Sequence, residues 1–139
     1  MFANKTYKQQ FIMKPSTIVC LVLSANFLVS CGYKKEAKEV TQDFFSAIKN
    51  NKEEKMVELY PEVGNLQNYY KSDTIIVKEV KELEDKKYSV ALTNKFTNGF
   101  GKNTESDIII YTKPKDDKKP SDGYVIYDSK GLCNLSDDP

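Results

Sequence analysis

Two periods divide the chain. From Glu36 to Asn50 the apolar residues Ala37, Val40, Phe44, Ala47 and Ile48 recur at spacings of three and four, with Lys38, Glu39, Gln42, Asp43 and Lys49 on the other side. That spacing predicts an amphipathic helix with one buried stripe. Asn51 then reads as an N-cap, with Glu54 at the capping-box position three residues on. The short second helix turns Met56, Leu59 and Tyr60 inward and stops at Pro61; Gly64 to Tyr70 reads as either a turn or one more helical turn. From Thr74 the period becomes two. Thr74–Val80 is a β-branched run, and Lys87–Thr97 alternates Tyr88, Val90, Leu92 and Phe96 against Ser89, Ala91, Thr93 and Lys95. Ser106–Lys113 sets Ile108 and Ile110 against Ile109 and Tyr111, and Gly123–Ser129 sets Tyr124 and Ile126 against Val125 and Tyr127. These runs predict four strands. Asn98–Asn103 is a flexible hairpin loop in which Phe100 is expected to fold back over the sheet edge, and Lys115–Pro120 is a charged loop. Helices followed by an antiparallel four-stranded meander make an α+β fold, with the helices packed on one face of a curved sheet.

The residues before Glu36 follow neither pattern. Lys5, Lys8 and Lys14 form a positive segment with no acid, and Ile18 to Val29 is an unbroken run weakened only by Ser24, Ala25 and Asn26. As a helix this run spans roughly 18 Å at about 1.5 Å per residue. A bilayer core is about 30 Å thick, so the segment reads as the apolar part of a secretion signal. Met13 would open an equally complete signal, which makes it an alternative start to Met1.

Leu28-Val29-Ser30-Cys31-Gly32 closes the run. This motif resembles the lipobox of bacterial lipoproteins. The resemblance implies cleavage between Ser30 and Cys31, a diacylglyceryl thioether on Cys31 and a further N-acyl chain. Two or more chains anchor a protein stably where one does not. Gly32, where an aspartate marks inner-membrane retention in enterobacterial lipoproteins, implies an outer-membrane anchor facing the periplasm. The expected organisation is a signal peptide over residues 1–30, a lipidated tether over 31–35, one domain over 36–132 and a tail over 133–139. Five tether residues reach at most about 17 Å, so the domain sits close to the bilayer.

Composition narrows the chemistry. Cleavage leaves 109 of the 139 residues, enough for one small core. The leader takes three of the 21 basic residues and none of the 20 acids, so the mature chain is slightly acidic with its signs interspersed. Such a surface is solvated and is no nucleic-acid footprint. Every basic residue is lysine; arginine, histidine and tryptophan are absent. The chain therefore lacks the bidentate fork that clamps phosphates and the usual near-neutral acid–base and metal-binding group. The acidic pairs Glu53-Glu54, Asp116-Asp117 and Asp137-Asp138 adjoin lysines or lie in loops and the tail. They show no calcium-loop spacing, and no metal and no cofactor beyond the lipid is expected. With Cys31 carrying lipid, Cys133 has no internal partner in the mature chain and is expected to be buried and inert.

The order of elements, Phe44–Ile48 in the opening helix, Leu59-Tyr60-Pro61 closing the second, and the last segment Gly123–Leu132 resemble small lipoproteins of the nuclear-transport-factor-two-like (cystatin-like) superfamily. The resemblance implies a cone with a pocket between helix and sheet. It brings no catalytic residue with it. The expected function is a lipid-anchored, non-enzymatic envelope domain that binds a small apolar ligand or a protein partner. Tyr60, Tyr69, Tyr70 and Tyr88 are the candidate contacts, because tyrosine joins a large apolar body to a polar tip. Two alternatives stand beside it. One is an isomerase- or dehydratase-like enzyme using a tyrosine beside a buried carboxylate. The other is a subunit of an envelope assembly or an inhibitor of a secreted factor, marked by an exposed apolar patch.

Overall fold

The computed structural model describes residues 15–63 and 71–132, for 15–30 by backbone alone. It is an α+β fold in which two helices, α1 (Pro15–Lys49) and α2 (Glu53–Leu59), precede four strands: β1 (Thr74–Glu82), β2 (Tyr88–Thr97), β3 (Asn103–Pro114) and β4 (Tyr124–Lys130). The chain divides into two units between Ser30 and Cys31. Of the first unit, residues 15–30 are helical. The second holds the domain.

The sheet is an open antiparallel meander in the order β1-β2-β3-β4. Its register explains the core. Val90 pairs with Val80 and Ile110, and Leu92 with Val77 and Ile108. Thr112 then pairs with Ile126. The even positions of β2 and β3 thus share one face, and Tyr88, Val90, Leu92, Ile108, Ile110, Tyr124 and Ile126 are buried on it. They form one cluster with Ala37, Val40, Phe44, Phe45, Ala47 and Ile48 of α1 and with Met56 and Leu59 of α2. The stripe read from the sequence is the stripe that packs. Phe44 is fully buried, edge-on to Phe45 at 5.6 Å and to Tyr60 at 5.8 Å.

Three local expectations change. Residues 31–35 are not an extended tether; they are helical, part of α1. Tyr33 fixes them, its ring 6.1 Å from that of Tyr124 and under Lys86. Asn51 does not cap α2. It adopts a left-handed φ of 51°, while its N–H donates to Ile48 O and that of Lys52 to Ala47 O. That pair of bonds is a Schellman closure of α1, a position that asparagine tolerates. Lys52 holds the N-cap position of α2 with no side-chain hydrogen bond. Phe100 does not fold back over the sheet edge. The Asn98 carboxamide accepts bonds from the N–H groups of Phe100 and Lys102, Gly101 takes a left-handed φ of 75°, and Phe100 projects with 72% of its surface exposed. Two strands also run longer than their alternation predicts: β1 continues to Glu82, and β3 begins at Asn103. The alternating lysines and glutamates at the end of β1 suit an edge strand, where charge opposes pairing with other chains.

Candidate functional site

Where the inward positions fill the core, the outward positions of the same strands form a second surface. Ala91, Ile109, Tyr111, Val125 and Tyr127 are only half-buried, and Ile76 on β1 is 48% exposed. The described helices join the core from the inner face, so this outer face meets solvent. Ala91 lies directly opposite Ile109, and Ile109 opposite Lys130. Together with Lys78, Asp107 and Gly131 they line a cleft of about 440 Å³. That volume falls in the range of small-molecule pockets, about 300–1,000 Å³. Gly131 is required at its rim. It takes a left-handed φ of 81°, and a Cβ there would lie 2.6 Å from the carbonyl oxygen of Asp107.

The charges along this face are unevenly matched. Asp107 accepts from Lys78 Nζ at 2.8 Å and from Thr93 Oγ1 at 2.7 Å, bonds that hold its carboxyl below the usual carboxylate range. Lys95 pairs with Glu105 at 2.7 Å. Beyond the cleft, Tyr111 and Tyr127 sit with ring centroids 6.2 Å apart. The ammonium groups of Lys87 and Lys113 lie 5.7 and 5.8 Å from the Tyr127 centroid. Such contacts are worth about 0.5–1 kcal/mol at an exposed site, and they hold both cations beside an aromatic platform.

The tyrosines expected to bind do not gather at a site. Tyr88 is 1% exposed and edge-on to Tyr124. Tyr60 is buried against Phe44, its hydroxyl 3.4 Å from Ser129 Oγ. Both are core residues that tie α2 and β2 into the fold, and neither lines the outer cleft. Tyr69 and Tyr70 lie outside the described residues, as does Cys133. Cys31 is exposed, with a free thiol; of Ser30 the backbone is helical.

A polar cluster closes the other end of the core. Tyr33, Tyr88 and Tyr124 converge there, and the Tyr124 hydroxyl donates to the Lys86 carbonyl at 2.9 Å. Burial, with Tyr88, Glu36, Tyr33 and Glu82 nearby, pushes the Tyr124 phenol well above its usual value. Glu36 Oε2 is buried without a hydrogen-bond partner among the described residues. The outer cleft is remote from this cluster in its lining: none of these residues contributes to it.

Among the described residues no helix is long and apolar enough to cross a membrane, and no three acidic, cysteine or histidine side chains are grouped to hold a metal ion. No family model, no curated protein and no solved structure matches the chain.

Proposed function

We propose that the chain is a lipid-anchored domain of a bacterial envelope, held through Cys31, that binds a protein partner or a small apolar ligand without catalysis. The observation that carries this reading is the sequence Leu28-Val29-Ser30-Cys31-Gly32, which resembles a lipobox, at the end of a short apolar run. Two further features support it. The chain divides into two units at the bond that the signal peptidase would cut, and Cys31 is exposed. Only Gly32 separates the lipidated residue from Tyr33, the first side chain packed on the domain. An anchor at that point leaves almost no slack, so the domain rests against the bilayer. Gly32 favours the outer membrane, with the domain on its periplasmic side.

Binding belongs to the outer face of the sheet rather than to Tyr60 and Tyr88, which are buried in the core. An exposed apolar surface rimmed by polar side chains is the usual form of an interaction site. The open face also favours the partner-protein form of this reading, as in a subunit of an envelope assembly. The enzyme alternative would use Glu36 beside Tyr124, but the Tyr124 hydroxyl is already bonded to a backbone carbonyl.

The test is fractionation of cells that express the full chain and Cys31→Ala. The full chain should be processed and found in the membrane fraction. The variant should accumulate uncleaved or lose its lipid. Identical processing and mass increments in both forms would remove Cys31 from the mechanism.

A further inference from the structure

We infer that the outer face of the sheet is the docking surface for an extended acidic protein segment, with an apolar side chain of that segment seated in the cleft at Ala91 and Ile109. The inference rests on the reading of the chain as a binding domain, but not on lipid attachment.

Charge selects the partner. On the outward side of β1–β4 two acids are already neutralised, Asp107 by Lys78 and Glu105 by Lys95. On the strands Lys81, Lys113 and Lys130 remain against Glu79 and Asp128, one lysine in surplus; Lys87, just before β2, shares a recess with Lys86, Asp85 and Asp117. The surplus is positive although the mature chain as a whole is slightly acidic. Two of those lysines are held over Tyr127, and Lys130 stands over the cleft. Positive potential beside apolar surface selects a partner of opposite charge and rejects like-charged ones. The same surplus disfavours a second copy of this chain: a two-fold contact sets the same patch on both partners, so two faces of the same net sign would meet.

Spacing adds a pattern. Ile109 and Lys113 lie four residues apart on β3, which is about 13 Å at roughly 3.3 Å per residue. Between them Tyr111 faces Asp128 across the register. A segment running along β3 therefore places an apolar residue at the cleft, an uncharged residue over Tyr111 and an acid at Lys113. Lys87, whose ammonium also lies by the Tyr127 ring, adds a second cation at that end. In an extended segment every second side chain points to the same face, so the contacts at Ile109, Tyr111 and Lys113 fall at alternate positions of one strand-like peptide.

The experiment uses the full chain in nonionic detergent. A fluorescently labelled ten-residue peptide of leucine, threonine and glutamate is titrated and followed by anisotropy. Its twin carries lysine in place of glutamate. The acidic peptide should bind at least tenfold more tightly than the twin. Ile109→Asp should abolish binding, and the double variant Lys113→Glu, Lys130→Glu should reverse the preference toward the lysine twin. Because Lys130 is exposed, Lys130→Glu alone keeps the test open should Ile109→Asp unfold. It should weaken the acidic peptide several-fold while the melting curve stays in place. Equal binding of both peptides, or affinities unchanged by these substitutions, would overturn the inference. Binding seen only after deletion of residues 133–139 would overturn it in favour of the chain's own acidic end. Binding of anionic vesicles lost in the double variant, with no peptide binding, would overturn it in favour of a lipid surface. Failure of the peptide to bind a protein that still carries acyl mass on Cys31 leaves the anchor untouched.

Discussion

Truncating Phe44 to alanine should remove a large part of the domain's stability. Its side chain is fully buried, and it makes edge-on contacts with Phe45 and Tyr60 that couple α1 to the residue closing α2. Loss of a buried phenylalanine costs about 3–5 kcal/mol, the transfer term plus the cavity left behind. The two aromatic contacts, each worth about 0.5–1.5 kcal/mol, place Phe44 toward the upper end of that range. Small domains hold only about 5–15 kcal/mol in total. At about 4–8 °C per kcal/mol for a domain near this size, the melting temperature should fall by at least about 12 °C. Urea unfolding followed by far-ultraviolet circular dichroism gives the midpoint and the slope together. A lower midpoint at unchanged slope reports lost stability alone. Val57→Ala is the control, because Val57 is 42% exposed on α2 and should change stability by only about 0.5 kcal/mol. A Phe44→Ala loss below about 1 kcal/mol would mean that α1 does not pack on the sheet through this stripe.

Two further outcomes follow from the backbone and from titration. Gly131→Ala must accept a left-handed φ, which alone costs about 1–2 kcal/mol, and must push its Cβ off the Asp107 carbonyl; urea midpoints equal to the parent's would refute the close approach of β4 to β3. Tyr124 titrates higher in the folded state than when unfolded, where a tyrosine ionises near about pH 10. Its contribution is fully present below that pH and is lost as pH rises through the folded value. Stability measured between pH 8 and 11 should therefore fall more steeply for the parent than for Tyr124→Phe, and parallel curves would contradict the buried phenol.

The strand faces were legible because a period of two leaves little choice. Val90 and Leu92 had to share a side of β2, and Ile108 and Ile110 a side of β3; the register then sets them and Ile126 on one buried face. The helix stripe was legible for the same reason. What failed depended on contacts and bonds that the apolar pattern does not show. Residues 31–35 look like a linker until Tyr33 meets Tyr124. Asn51 suits a helix start and a left-handed helix end equally well, and only the bonds to Ile48 and Ala47 decide between them. At the candidate site the alternation placed Tyr111 and Tyr127 opposite Ile110 and Ile126, so the parity of the outer face was present in the sequence. Which of the two faces the helices leave open was not, and two of the candidate tyrosines, Tyr60 and Tyr88, are packing residues. The lysine surplus was hidden as well. Lys78 and Lys95 find their acids across the register, and no linear reading shows which lysines are then left over.

Anchoring of the domain turns on the fate of Cys31. Intact-mass spectrometry of the protein extracted from membranes is the decisive measurement. The lipid-anchor reading predicts a chain that begins at Cys31 and carries the added mass of a diacylglyceryl group and an N-linked acyl chain. A mature chain that begins elsewhere, or that begins at Cys31 with an unmodified thiol, would contradict it.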